Sequence, residues 1–246
     1  MARLLRPKAL LVVVVVVAGA ALAAAVAGGL FLRDSARPAS VTAALRLFRE
    51  ENPGPTGDEG VYLYDTTGGE SLDVLGGVTH RYPATTTIAL TRAGCGARLR
   101  WQALTERSTT WVLCRSSHGI VERSSDEVHD FFGKLDRTDY RCSSGARGAF
   151  TCVSPHGREH GVAVDVGHET IAVGDTRVDT VHIRTTAQIS GGDRGTETVD
   201  WWITPSTAAP VRVAFASRTS RKEPIIGAAH YRERAELRLV SLAPLR

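Results

Sequence analysis

The sequence lacks acid at its start and has few cysteines, and each scarcity excludes something. No Asp or Glu occurs in the first 33 of the 246 residues, whereas Arg3, Arg6, Lys8 and Arg33 do. Those four carry the whole net charge of +4, because the other 26 basic residues are matched by 26 acidic ones. A nucleic-acid-binding domain needs a basic surplus of its own, so the pI near 9.1 does not argue for nucleic acid as a partner. No cysteine follows the apolar N-terminal run before Cys95, which excludes a lipid-modified cysteine there. No C-x-x-C pair exists, and structural zinc needs clustered ligands. There is no G-x-S-x-G elbow and no phosphate loop. Gly76-Gly77 and Gly191-Gly192 read as turn pairs rather than a dinucleotide fingerprint. No fixed-period repeat and no linker divides residues 60–246, which read as one domain.

What is present first is a long uncharged run. Residues 9–32 would extend about 36 Å as a helix, against a hydrocarbon core of about 30 Å. The basic flank before it and the mixed flank after it orient the N-terminus toward the cytoplasm. The expected organisation is a basic cytoplasmic stub (1–8), a transmembrane signal anchor (9–32), a stalk with a short helix (33–59) and an extracytoplasmic β domain (60–246). The cell membrane is then a partner through a single pass. The alternative is a cleaved signal peptide, with small-residue sites at Ala23-Ala24-Ala25 or Ala25-Val26-Ala27. Both export everything from about residue 33 onward.

Cys95, Cys114, Cys142 and Cys152 all fall in that exported part, where thiols oxidise. Cys95 and Cys114 are equidistant from a turn near Leu104-Thr105, and Cys142 and Cys152 flank a turn-rich loop. Sequential pairing across two hairpins follows. Val41, Ala44, Leu45 and Phe48 recur at helical spacing behind Ser40, a candidate N-cap, and Pro53 and Pro55 end the helix. From Gly60 the pattern is β. Gly68-Gly69 reads as a hairpin turn, and His129 to Gly133 as a loop with one helical turn. Four later runs alternate with period two, at 181–189, 199–203, 211–215 and 231–239. They form an antiparallel meander with one apolar and one polar face. The fold class is mainly β: one antiparallel curved sheet with one or two short helices and a transmembrane helix before it.

Asp200-Trp201-Trp202-Ile203, Pro205-Ser206-Thr207 and Pro210-Val211-Arg212 resemble the strand, turn and Pro-Val-Arg strand of the outer-membrane lipoprotein carriers, the LolA/LolB-like half-barrels. The run from Tyr231 to Leu242 is similar to their closing strand. The resemblance covers about the last 75 residues and departs at Ala208, where that family has glycine. It implies that the curved sheet is a half-barrel, a non-catalytic domain that cups a lipid or another apolar molecule. The cysteine-containing half resembles exported, membrane-anchored proteins of high-GC bacteria.

The candidate cavity residues are Phe48, Trp201, Phe215 and Tyr231, with Arg212, Arg232 and Arg238 on the outer face. Trp202 lies opposite Trp201 and is either covered or an exposed contact. Glu233, on the apolar face, is either near an edge or paired. His156, Glu159 and His160 spell H-x-x-E-H, which would serve a zinc hydrolase only on a helix with a third ligand. Pro155 and Gly157 favour a hairpin loop instead. No cofactor is implied. The leading reading is non-catalytic binding of an apolar molecule, and the alternative is an envelope interaction or regulatory domain.

Overall fold

The structure, a computed structural model, describes residues 36–74, 77–116, 119–131, 134–204, 209–223 and 227–246. The stub and anchor at 1–32 lie outside them. Residues 36–130 and 135–246 form one compact unit. One helix, α1 (Val41–Glu51), precedes thirteen strands. These are β1 (Gly60–Asp73), β2 (Val78–Arg81), β3 (Thr85–Ala93), β4 (Gly96–Leu104), β5 (Arg107–Ser116), β6 (Gly119–Phe131) and β7 (Lys134–Ser144). After them come β8 (Ala149–Val153), β9 (Gly157–Val173), β10 (Thr176–Gly191), β11 (Asp193–Ile203), β12 (Pro210–Glu223) and β13 (Gly227–Leu239).

All thirteen belong to one sheet, and from β3 to β13 each strand lies beside the next in the chain. The meander expected at 181–239 is β10 to β13, each paired antiparallel with the next. A half-barrel would leave two bare edges. Here β13 pairs with β1 over ten positions, from Tyr64 opposite Leu239 to Asp73 opposite His230, so the ladder closes on itself. Closure satisfies the backbone groups that an edge strand would expose. His129 to Phe131, expected in a loop with a helical turn, instead end β6.

The segment around Gly68-Gly69 is not a turn. It lies inside β1, which pairs with β3 through Gly60 to Asp65 and then with β2 through Gly69 to Leu72. The glycines are needed because three strands crowd this point. A Cβ on Gly68, whose φ is +120°, would sit 2.0 Å from the Arg234 carbonyl, and one on Gly69 would sit 2.2 Å from the His80 carbonyl. Gly68→Val should therefore push β13 away from β1 at a cost of about 2 kcal/mol or more. Thermal unfolding followed by circular dichroism would detect the lower midpoint.

Ser40 caps α1 by accepting from the Ala43 amide, and Phe48 and Ala44 are buried against Val61 and Ala89. Val61 and Ala89 face each other on β1 and β3 and alternate with Tyr62 and Ile88, which belong to the main core. The helix thus packs on the outer face of the sheet rather than over its concave side. The inner core centres on Trp101, with Tyr82 and Phe215 edge-on at 5.2 Å each. Trp111 and Trp201 pack edge-on at 5.1 Å. Such contacts add directional stabilisation to the burial of the rings.

Candidate functional site

Inward-facing positions of successive strands fall into rows. One row is apolar: Trp201, Val213 and Leu237 lie opposite one another on β11, β12 and β13. Two rows along the same strands is a polar one, in which Glu197, Ser217, Glu233, Glu70 and His80 are register partners across β11, β12, β13, β1 and β2. Glu70 and Glu233 are directly opposed, which destabilises a ladder unless a cation intervenes. Arg107, at the start of β5, supplies it. Its Nη2 donates to both carboxylate oxygens of Glu233 at 2.9 Å, and its Nε lies 3.6 Å from Glu70 Oε2. Nη1 donates to Thr109 Oγ1 at 2.6 Å, and the guanidinium lies 5.2 Å over the Trp101 ring.

The rest of the network completes the two carboxylates. His80 Nδ1 is 2.8 Å from Glu70 Oε1, and His129 Nδ1 is 3.0 Å from Glu70 Oε2. Tyr231 donates to Glu233 Oε2 at 2.8 Å, and Tyr82 donates to Glu233 Oε1. Burial pushes the Glu70 carboxyl up, but hydrogen bonds from His129 and His80 and the charge of Arg107 outweigh it, leaving a pKa of about 2. For His129, burial and the nearby Arg107 favour the neutral ring, yet its bonds to Glu127 and Glu70 prevail and raise it. The Glu233 found on an otherwise apolar face is therefore paired, not at an edge.

Beside this packed region lies a cavity of about 720 Å³, lined by Ile120, Phe150, Val181, Ile183, Val199 and Ile203 among others. That volume suits a small-molecule ligand. Its origin is the small inner set of β9, where Gly161 and Ala163 face inward. The larger Val162, Val164 and Val166 point out and are 43%, 53% and 51% exposed. Glu122, Glu159 and Glu197 also line it, from β6, β9 and β11. Burial raises all three. Glu122 rises to about 7 despite a hydrogen bond from Ser125, and Glu159 to about 8, where the charges of Glu127 and Glu122 add to burial and a Tyr140 bond opposes it. Glu197 is raised well above its ordinary value by burial and by the charges of Glu159, Glu127 and Glu122.

The four residues expected to border a cavity are not brought together. Phe48 belongs to α1 and packs on the outer face of the sheet, Trp201 and Phe215 are in the packed core, and Tyr231 belongs to the ion-pair network. The cavity sits further round the barrel, against Val199 and Ile203 of the same strand as Trp201. Trp202 is covered, stacked on His182 at 4.1 Å with the Arg212 guanidinium 4.3 Å from its ring. The outer arginines pair as a solvated face would: Arg184 with Asp200, and Arg212 and Arg238 with Glu236. His156 lies in the turn before β9, Glu159 faces the cavity, and His160 bonds Thr151. Alternation along a strand sends Glu159 and His160 to opposite faces, so H-x-x-E-H does not converge. Both expected disulfides are present, Cys95 to Cys114 and Cys142 to Cys152. Cys142 and Cys152 are direct register partners, whereas Cys114 faces Gly96 and reaches Cys95 in the adjoining turn. Among the described residues no helix is long and apolar enough to cross a membrane.

Sequence reading did not single out Glu70, Arg107, His129 or Glu122, and it read Glu197 with Asp200 and Glu236 as acids among the arginines of the outer face, whereas Glu197 shares the inward parity of Val199 and Trp201 and lines the cavity. The available signal was Glu233: a carboxylate on an apolar strand face requires a buried cation, and the structure supplies it as Arg107, the one buried arginine among the described residues. No protein-family model, curated protein or solved structure matches this chain.

Proposed function

We propose that this is a non-catalytic, extracytoplasmic β domain, tethered to the cell membrane by residues 9–32, that holds a small and largely apolar molecule inside its barrel. The observation that carries the reading is the 720 Å³ cavity with its wall of Ile120, Phe150, Val181, Ile183, Val199 and Ile203. Export is supported by two disulfides with no free cysteine. The likeness to lipoprotein carriers is kept as a likeness in ligand class, since the closed ladder departs from a half-barrel. Absence of convergent His156, Glu159 and His160 side chains removes the support for zinc hydrolysis.

The test compares the full chain with Ala163→Trp, which places an indole in the cavity, by mass spectrometry of small molecules retained through native purification. A molecule retained by the wild type should fall by about tenfold in the variant, while near-ultraviolet circular dichroism stays native. A wild type that retains nothing the variant lacks overturns the reading.

A further inference from the structure

The cavity is not simply greasy. Three carboxyl side chains enter it from three separate strands, Glu122 on β6, Glu159 on β9 and Glu197 on β11. Glu122 and Glu159 have hydroxyl partners in Ser125 and Tyr140. Glu197 has no hydrogen-bond or ion-pair partner among the described residues. Its cross-strand neighbours are Ala187 and Ser217, neither of which carries charge. The buried guanidinium of the interior, Arg107, is taken up by Glu233 and Glu70. Arg115 on the cavity lining already has its own interaction, and the remaining charged lining residue, Asp165, is another acid that accepts from the Gly167 amide.

A polar group withdrawn from bulk water without a partner is costly, and a binding site discriminates most strongly through such groups, because the wrong ligand leaves them unmatched. An uncharged hydrocarbon would satisfy the apolar wall and leave Glu197 as it stands. We propose that the ligand is a cationic amphiphile, an apolar body bearing a quaternary or protonated amine, whose positive end sits against Glu197 with Glu122 and Glu159 beside it. This rests on the interior-binding reading above and names its ligand class. Burial and mutual repulsion hold these carboxyls protonated more than usual, and an arriving cation reverses that preference by favouring the carboxylate. Glu127, whose carboxyl is held below its ordinary value, adds negative charge to the same region, and Glu233 adds less because Arg107 pairs it.

The experiment uses the full chain in membrane vesicles and two photo-activatable decyl probes that differ only in the head, trimethylammonium or hydroxyl. Labelled peptides are mapped after irradiation, so that partition into lipid does not count as binding. The ammonium probe should label cavity-lining peptides about tenfold more than the hydroxyl probe, and Glu197→Gln, checked for a native circular dichroism spectrum, should remove the difference. Equal labelling by both heads, or an ammonium preference that survives Glu197→Gln, overturns the cationic ligand and leaves the apolar cavity reading standing. Labelling of no cavity-lining peptide by either probe overturns both.

Discussion

Arg107→Met should cost about 3–5 kcal/mol, the usual penalty for stranding buried charges, or prevent folding altogether. Met fills similar space, so the loss is electrostatic rather than a cavity. Glu70 and Glu233 face each other across β1 and β13, at the seam that closes the sheet. Both are almost fully buried, at 2% and 6% exposure. Without the guanidinium their like charges repel, and Thr109 Oγ1 loses its donor. Urea unfolding of the disulfide-intact chain measures the effect. A triple variant, Arg107→Met with Glu70→Gln and Glu233→Gln, should recover part of it, because no unpaired charge remains. If Arg107→Met alone is as stable as wild type, the network is not what holds this seam.

The second large effect is in pH. In the unfolded chain a Glu titrates near 4.3. Glu122 and Glu159 have pKa values of about 7 and about 8 in the fold, and Glu197 is also raised. Between pH 4.3 and these values the native state holds protons that the unfolded state has released. Stability therefore falls as pH rises through that window, with each such carboxyl contributing about 1.4 kcal/mol per pH unit. His129, also raised, acts in the same direction, losing its contribution as pH rises through its folded value. Glu70, at about 2, acts oppositely: its contribution is complete above 4.3 and is lost as pH falls toward 2. The protein should be most stable at about pH 4–5 and weaker by several kcal/mol at pH 8. Replacing Glu122, Glu159 and Glu197 together by Gln should flatten most of that slope in urea titrations at pH 5, 6.5 and 8. A wild type equally stable at pH 5 and 8 would contradict the environment described for these carboxyls.

The β10 to β13 meander was legible because one face of those strands is apolar and the other polar, and the disulfide pairs because each brackets a local turn. The second quarter of the barrel was not, for a reason visible in β6. Its inward residues Glu122, Ser125, Glu127 and His129 are as polar as its outward ones, so no alternation marks a strand. In β9 the pattern is inverted: valines face water while Gly161 and Ala163 face in. Hydrophobic periodicity reports burial against an apolar neighbour, and a barrel that encloses an ionisable network and a cavity breaks that premise. Gly68-Gly69 misled for a different reason. Glycine there answers crowding between strands, a demand that local sequence expresses in the same letters as a turn.

The seam between β1 and β13 also sets the order in which this domain can be made. Tyr64 and Leu239 must meet across nearly the whole barrel sequence, and such long-range pairing is slow because loop closure comes before the contacts that reward it. The disulfides join residues only 19 and 10 apart, so oxidation can staple local hairpins early without bringing the seam together. A chain still being completed would thus carry two open sheet edges, with Glu70 and Arg107 waiting for Glu233, until β13 has followed. That interval is when proteases and edge-to-edge aggregation have access, and holding chaperones would act there.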